Sequence, residues 1–517
     1  MDKMKLKRLE KQDLARLKDK KIYCYEKSEV YLSELFAEFP GLAGNLAGII
    51  DENRRNQGEF LFAGKAVPVK SLGQTGRVDW PRAALIITSD YYREAYEQIE
   101  ANRHILGFSG TAYYFANKET SVEESYREKY KNHSLENIIL FRSGPHASSY
   151  IKGMDFSDNA RALFEYMLQE GFNKKYELVW LVKNPGEFAR YKDTENVTFL
   201  SFSWSVSGSK AEQDRYYRAL CLAKYIFFTD AYGFARNCRP GQTRVQLWHG
   251  CGFKTRVNFV RCEKRYEYTT VISDLYSRIH QDIYGLREDQ VLVTGYAKQD
   301  WLFHPVWDKW GCLGMPKASK YIFWLPTFRT ANASLPELSE HGPKGQTGLP
   351  VVDTYGKLGE LDRRLRELDT ALVLKLHPFQ DPGSICLAKA ANIALLDNGA
   401  LEANDIQINQ ILGIADALVS DYSSAAVDYM LLDKPVGFTL DDMGEYGGSR
   451  GFVFEDIREW LPGAEIFCFD DLCAFVEEVA NGEDPTAGKR RELLGKMHKY
   501  RDGQNCKRIV GVLGIDA

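Results

Sequence analysis

Apolar residues along this chain come in short bounded runs, and the stretches between them carry the spacing of amphipathic helices. That alternation predicts parallel sheets whose strands are joined by crossover helices. A first block, from about residue 20 to 120, places strands at Lys21–Tyr25, Leu46–Ile50 and Ala83–Thr88, with helices over Val30–Phe39 and Tyr91–Asn102. Residues 121–136 are polar and charged, and read as a linker or a solvated helix. A second block opens at Asn137–Phe141 and continues through a helix near Asn159–Glu170. Its further strands are Glu177–Val182, Tyr225–Thr229, Arg244–Trp248, Thr270–Ile272 and Val291–Val293. A third block has strands at Tyr321–Leu325, Ala371–Leu376, Ile393–Leu396, Ala417–Val419 and Pro435–Thr439.

The expected domains are therefore 1–120, 137–310 and 320–517, which suits a chain of 517 residues. Phe303–Ser319, with Pro305, Gly311 and Pro316, is the expected hinge. The polar insert Thr330–Pro350 is expected to be a loop beside a cleft. Two Rossmann-like halves facing each other describe the GT-B architecture, here preceded by a smaller Rossmann-like N-terminal α/β domain. In that N-terminal domain the first strand ends in Tyr25-Glu26-Lys27-Ser28, with no glycine-rich turn. Backbone there cannot approach a pyrophosphate closely, so a structural or partner-binding role is expected.

Composition narrows the function classes. Hydrophobic residues at 44% and charged residues at 27% are ordinary globular values. Lys and Arg number 67 against 71 Asp and Glu, a formal charge of −4, so no basic field argues for nucleic acid. Residues 1–21 depart from that balance, with nine Lys or Arg against four acids. With Leu6, Leu9, Leu14 and Leu17 on one side, this stretch suggests peripheral contact with an anionic membrane, against the alternative of a solvated helix. No apolar run is long enough for a membrane span, and the N-terminus lacks the apolar stretch of a signal peptide. The ten cysteines stand singly and the nine histidines form no HxxxH or HExxH cluster, so a reduced, cytoplasmic protein without structural metal is expected.

Five segments at strand ends or in loops carry candidate chemistry. In Gln246–Lys254 a strand delivers His249 into a turn made by Gly250 and Gly252, with Lys254 following. An imidazole so placed can take a proton from a hydroxyl, or simply hydrogen-bond a loop. Trp324–Arg329 and Lys375–Phe379 each end a buried strand with a cation and a proline; Arg329 and Lys375 suit phosphate oxygens, or cap helices. In Val419–Asp428 a strand runs into Ser423 and Ser424 at a helix start, which suits a phosphate as well as an ordinary N-cap. Arg450–Glu455 reads as a lid or an acceptor-side wall. Asp441 and Asp442 offer a pair of carboxylates for a metal, but a solvated acidic loop is the expected reading.

Taken in order, WHG at Trp248–Gly250, PTFR at Pro326–Arg329, LHP at Leu376–Pro378, SDYSS at Ser420–Ser424 and RGF at Arg450–Phe452 resemble the CDP-glycerol glycerophosphotransferase family, the teichoic acid primases and polymerases. Phe156–Asn159, Glu177–Trp180 and Thr294–Tyr296 agree as well, so the resemblance covers roughly residues 137–505. It implies a GT-B fold and transfer of a polyol phosphate, glycerol phosphate foremost, from a CDP-activated donor to a hydroxyl of a lipid-linked or glycan polymer, releasing CMP. His249 would be the general base and His377 a second active-site histidine. Donor contacts would fall on Trp248, Gly250, Pro326, Thr327, Lys375, Ser423, Ser424 and Asp428. Lys254, Lys298 and Arg329 would add positive charge along the pyrophosphate. No tightly bound metal is expected, since those cations supply the charge stabilisation that phosphoryl transfer needs. Two departures stand out. Where the family reads HGTPLK, this chain has His249-Gly-Cys-Gly-Phe-Lys254, and Lys298 replaces an arginine expected to face phosphate. The competing readings are a GT-B glycosyltransferase using a nucleotide sugar, which should show acids for sugar or ribose hydroxyls among Asp421 and Asp428, and a non-catalytic scaffold of a surface-polymer assembly.

Overall fold

The computed structural model describes residues 4–52, 56–76, 78–144, 153–229, 238–255, 265–327, 345–377, 380, 383, 385–387, 390–449 and 451–517. These residues form three sheets. The chain divides into two compact units: Met1–Glu136 with Leu200–Lys224 and Tyr232–Gln242 make one, and Asn137–Phe199, Tyr225–Ala231 and Thr243–Ala517 the other.

The first unit holds strands β1 Lys5–Arg8, β2 Lys21–Tyr25, β3 Leu46–Ile50, β4 Gly58–Phe62, β5 Lys65–Lys70, β6 Ala83–Ile87 and β7 Thr111–Tyr114, in the order β1-β7-β6-β2-β3-β5-β4. All its pairings are parallel except the β4–β5 hairpin. Alternate residues of β2 and β6 enter two cores: Ile22, Cys24, Ala84 and Ile86 on one face, Tyr25, Ala83, Leu85 and Ile87 on the other. A sheet covered on both faces explains why these strands read as continuous apolar runs. The seven strands make this no smaller a sheet than the others.

Two expectations for this region change. Residues 4–21 are not a free amphipathic helix: β1 pairs with β7, and Met4, Leu9 and Leu17 are buried. The apolar side proposed for a membrane is spent on the unit's own core. Lys7 pairs with Asp13 at 2.5 Å and Arg8 with Glu124 at 3.2 Å, so part of the charge is spent as well. Of the two readings of residues 121–136 the helix holds and the linker does not, but the helix is not solvated all round. The helix Lys118–Tyr130 buries Tyr126 and Tyr130, and Tyr126 stacks on Tyr217 at 4.4 Å.

The second unit holds two sheets. β8 Glu136–Arg142, β9 Glu177–Val182, β10 Val197–Ser201, β11 Ala223–Phe228, β12 Thr243–Gln246, β13 Tyr268–Val271 and β14 Val291–Val293 run in the order β10-β9-β8-β11-β12-β13-β14. β15 Lys320–Trp324, β16 Thr370–Leu374, β17 Ile393–Leu395, β18 Ala417–Ser420, β19 Val436–Thr439 and β20 Ala464–Ile466 run in the order β17-β16-β15-β18-β19-β20. Each order reverses once, between β8 and β11 and between β15 and β18, the switch point where open α/β sheets hold ligands. Both sheets have the doubly wound order that the alternation predicts.

The C-terminal helix Asn505–Val512 crosses back to the first of these sheets. Cys506, Ile509, Val510 and Ile515 join the core of β8, β9 and β12. Asp300 caps that helix, accepting the backbone N–H groups of Asn505 at 2.9 Å and Cys506 at 2.8 Å. Gly295 is needed beside it, since φ is +81° and a side chain would run into Asn505. Phe303–Ser319 contains only short turns, and Trp310 packs on Tyr321 and Phe323. Val306 N–H donates to the Gln410 carbonyl at 3.0 Å, so this connection is fastened to the β15–β20 half. Most of Thr330–Pro350 lies outside the described residues, but its end is no loose loop: Leu349 is buried in the β15–β16 core.

Candidate functional site

The site is assembled at the strand ends of the second unit. β15, β16 and β18 end in Leu325–Thr327, Lys375–His377 and Ser420–Ser424, around the switch point of their sheet. Asp421 is fully buried and accepts the Thr327 backbone N–H at 2.7 Å as well as its hydroxyl. Ser420 Oγ donates to the Leu325 carbonyl at 2.8 Å. The two strand ends are thus bound to each other, and Pro326 sits in the turn between them. Ser423 caps the helix Ser424–Tyr429, accepting from the Ala425 N–H at 3.3 Å.

The opposite wall comes from β12. After Gln246 the chain turns at Trp248, whose φ of +50° is left-handed. For a tryptophan this costs about 1–3 kcal/mol and persists only where neighbours enforce it. They do so here. Gln246 Oε1 accepts the Trp248 N–H at 3.1 Å, and Asn159 Nδ2 donates to the carbonyls of Leu247 at 3.2 Å and Trp248 at 2.8 Å. The Trp248 ring is buried and stacks on Tyr284 at 4.4 Å. Trp248 therefore acts as the support of the turn, and His249 emerges from it exposed.

The two walls meet at Gly250. A Cβ there would stand 2.5 Å from Ser424 Oγ and 2.7 Å from Ser424 Cβ, so only a hydrogen fits. A Cβ on Gly252 would also stand against Ser424, at 3.4 Å. Lys254 Nζ donates to Thr327 Oγ1 at 3.1 Å and lies 5.6 Å from the centre of the Tyr446 ring. Lys254 also pairs with Phe452 in an antiparallel bridge, and Val453 N–H donates to the Phe253 carbonyl at 2.8 Å. The RGF segment is thereby strapped to the His249 loop; Arg450 itself, like Arg329 and Pro378, lies outside the described residues.

Charge concentrates at His377. His377 is exposed, yet desolvation by the protein around it, then the charges of Lys254, Lys375 and His249, push it down to about 3. The four groups share one field, which an anionic guest would relieve. Lys375 is pushed down to about 8 by burial, with Asp397 opposing. Its ammonium donates to the Leu376 carbonyl and to Asn398 Oδ1, both at 2.6 Å.

Lys298 departs from the expectation. It is buried rather than directed at open space, and its ammonium donates to the His249 carbonyl. Asp158 lies 3.3 Å and Asp428 3.6 Å from it. Burial alone would lower the lysine, but the two carboxylates outweigh it and the net displacement is upward. Asp428 also accepts from Gln299 Nε2 at 2.6 Å, and burial raises its carboxyl despite Lys298. Asp428 is thus an internal partner, not a group open to a ligand. Asp442, the candidate metal carboxylate, is buried and accepts from the Tyr422 hydroxyl at 3.3 Å; among the described residues no group of three or more His, Cys, Asp or Glu is arranged to hold an ion.

Sequence reasoning leaves Asn159, Asp158, Gln299 and Tyr284 without roles. Asn159 stands in the Phe156–Asn159 motif, which names the residue but not its bonds to a loop 88 positions away. Cys251 is another: it is buried, its Sγ lies 3.0 Å from the Tyr296 hydroxyl and 3.6 Å from His280 Nε2, and burial raises it to about 12. It is an inert packing thiol.

Two doubly wound sheets, the loop after β12 of one meeting the switch-point loop after β18 of the other at Gly250 and Ser424, make up the GT-B fold class. A structure of a variant of the wall teichoic acid polymerase TagF shares this fold, with a TM-score of 0.58 and 20% identity, covering 77% of this chain and 93% of that one. Residues 126–513 match the family model for CDP-glycerol:poly(glycerophosphate) glycerophosphotransferase, and the chain belongs to that family. Similar curated proteins include the teichoic acid ribitol-phosphate polymerase TarK of Staphylococcus aureus, 25% identical over 60% of this chain and 60% of that protein. The teichoic acid glycerol-phosphate transferase of the same organism is 23% identical over 72% of this chain and 92% of its own length. The chain thus spans about three fifths of the length of the polymerase TarK. Among the described residues, no helix is long and apolar enough to cross a membrane.

Proposed function

We propose that this protein transfers a polyol phosphate, glycerol phosphate in the first instance, from a CDP-activated donor to a hydroxyl of a cell-surface polymer. The observation that carries this reading is the meeting of His249 with the Ser423–Ser424 helix start through Gly250, beside the cations Lys254 and Lys375. In this scheme the acceptor oxygen attacks the phosphorus bearing the polyol while His249 takes the hydroxyl proton. A P–O bond forms to the acceptor, and the P–O bond to CMP breaks. Charge growing on the departing CMP meets Lys254, Lys375 and the serine hydroxyls, and the motif residue Arg329 is assigned the same duty from its sequence position alone. His377, neutral before the donor arrives, gains proton affinity as the phosphates approach it.

The nucleotide-sugar alternative needs a carboxylate for the sugar hydroxyls; the ribose hydroxyls are common to both donors and do not separate them. Asp421 is taken by Thr327, and Asp428 by Gln299 and Lys298, which supports the CDP-polyol reading. The polymer acceptor is taken to be lipid-linked or glycan, reached from the cytoplasmic side. Contact with an anionic membrane now rests on the basic character of residues 1–21 alone. No tightly held metal is required by this scheme. Purified protein is incubated with acceptor and CDP-glycerol, CDP-ribitol or UDP-sugars, with and without a chelator, and the nucleotide is identified by chromatography. Acceptor-dependent CMP is expected in both chelator arms; UDP from a sugar donor, with no CMP from either CDP-polyol, overturns the proposal.

A further inference from the structure

We infer that Lys298 is a positioning residue that holds the His249 loop in place, not a contact to donor phosphate. The inference rests on the proposed role of His249 as the base. Three consecutive carbonyls, of Leu247, Trp248 and His249, lie where the strained turn leaves the sheet, and each receives a side-chain donor. Asn159 Nδ2 serves the first two and Lys298 Nζ the third. The two donors are themselves joined, because Asn159 Oδ1 accepts the Lys298 backbone N–H at 3.0 Å. One amide and one ammonium thus hold three successive carbonyls of the turn, with the Thr270 hydroxyl adding a second donor to Leu247 at 3.3 Å.

The ammonium has three protons, and three acceptors surround it: the His249 carbonyl, Asp158 at 3.3 Å and Asp428 at 3.6 Å. Turning it toward a phosphate would leave a carbonyl and two carboxylates short of their cation, one carboxylate fully buried. Asp428 belongs to the helix that begins at Ser424, so Lys298 also ties that helix to the His249 turn. A displacement of the base by a fraction of the helix pitch is enough to lose the near-attack geometry.

The test compares Lys298→Met, Lys298→Arg and Asp158→Asn with wild type, measuring kcat and KM for CMP release, donor Kd, and hydrogen exchange over residues 246–254. Asn tolerates the left-handed backbone of Asp158, whose φ is +60°. Lys298→Met is expected to lower kcat about 10²-fold through misplacement of the base while donor Kd stays near wild type. Exchange over 246–254 should quicken, and Lys298→Arg, which keeps donors for all three acceptors, should restore both. A lysine bound to phosphate would instead weaken the donor about tenfold or more on removal, with kcat retained. Asp158→Asn separates the two readings by sign. The positioning role predicts lower kcat with unchanged Kd; a phosphate contact predicts tighter donor binding, because a competing carboxylate is gone. Either of those phosphate-contact results overturns the inference, as does unaltered exchange in Lys298→Met. The exchange arm needs no donor, so it stands even if wild type releases no CMP, the outcome that defeats the proposed function instead.

Discussion

His249 and His377 differ in what surrounds them, and the difference separates their expected roles. His249 is exposed at the tip of a turn whose backbone is fixed by Asn159 and Lys298. His249→Ala removes no buried contact, so the melting temperature and donor affinity should stay near wild type while turnover falls by about 10²–10⁴, the range for a positioned general base. Near-normal turnover in the purified variant would remove His249 from the chemistry. Two other histidines bear on stability. Burial, and then the charge of His249, pushes His280 down to about 3. Burial pushes His498 down to about 4, although its Nε2 donates to the Val427 carbonyl at 2.8 Å. Below the unfolded value near 6.5 the unfolded chain takes up protons that the folded chain refuses. Their contribution is therefore whole above about pH 6.5 and lost as pH falls toward 4. Urea titrations between pH 7 and 4.5 should show stability falling with acid, and His280→Phe should reduce that slope by about one proton. A slope unchanged in the variant would show that His280 titrates normally.

At the scale of elements, the Ser423–Ser424 start of a short helix has two possible duties, and the structure shows one of them already performed. Ser423 caps the helix, while Ser424 Oγ faces Gly250 across the meeting of the two walls. Losing a cap costs about 0.5–2 kcal/mol, which a differential scan detects. Ser424→Ala keeps the cap and should weaken CDP-polyol binding with little change in melting temperature. A lowered melt with donor affinity intact would assign this element to structure alone. Several of the elements that pattern reading omits share one property. β10, β20 and the β4–β5 hairpin are short or lie at sheet edges, with mixed burial along their length. An edge strand is half exposed, so its sequence lacks the continuous apolar run that marks β6, β9 or β16.

In the whole molecule, the range 320–517 does not stay with a single sheet. The helix Asn505–Val512 completes the core around β8 and β9, capped by Asp300. Truncation before Asn505 would expose the apolar surface that Cys506, Ile509, Val510 and Ile515 cover, at about 1.5–3 kcal/mol per large side chain. The truncated chain is expected to aggregate or to melt far below the full chain. A truncated protein that melts at the wild-type temperature would show that this crossover contributes nothing to the fold.

The alternating pattern by itself determined that this chain builds doubly wound parallel sheets. A strand buried on both faces must be apolar throughout, and its crossover helix must be amphipathic, so both are written locally. The same holds for the strand-end motifs: WHG, LHP and SDYSS announce strand-end loops because each follows a buried run. Only the tertiary structure decided which residue of each motif meets solvent and which is spent inside. Trp248, Lys298 and Asp428 look like ligand contacts in one dimension, yet they form the support beneath His249. Their partners, Tyr284, Asp158 and Gln299, come from other elements and are brought together only by packing. Whether a buried lysine faces a phosphate or a carbonyl depends on which acceptors the fold places within about 3 Å of it, a distance that sequence separation does not encode.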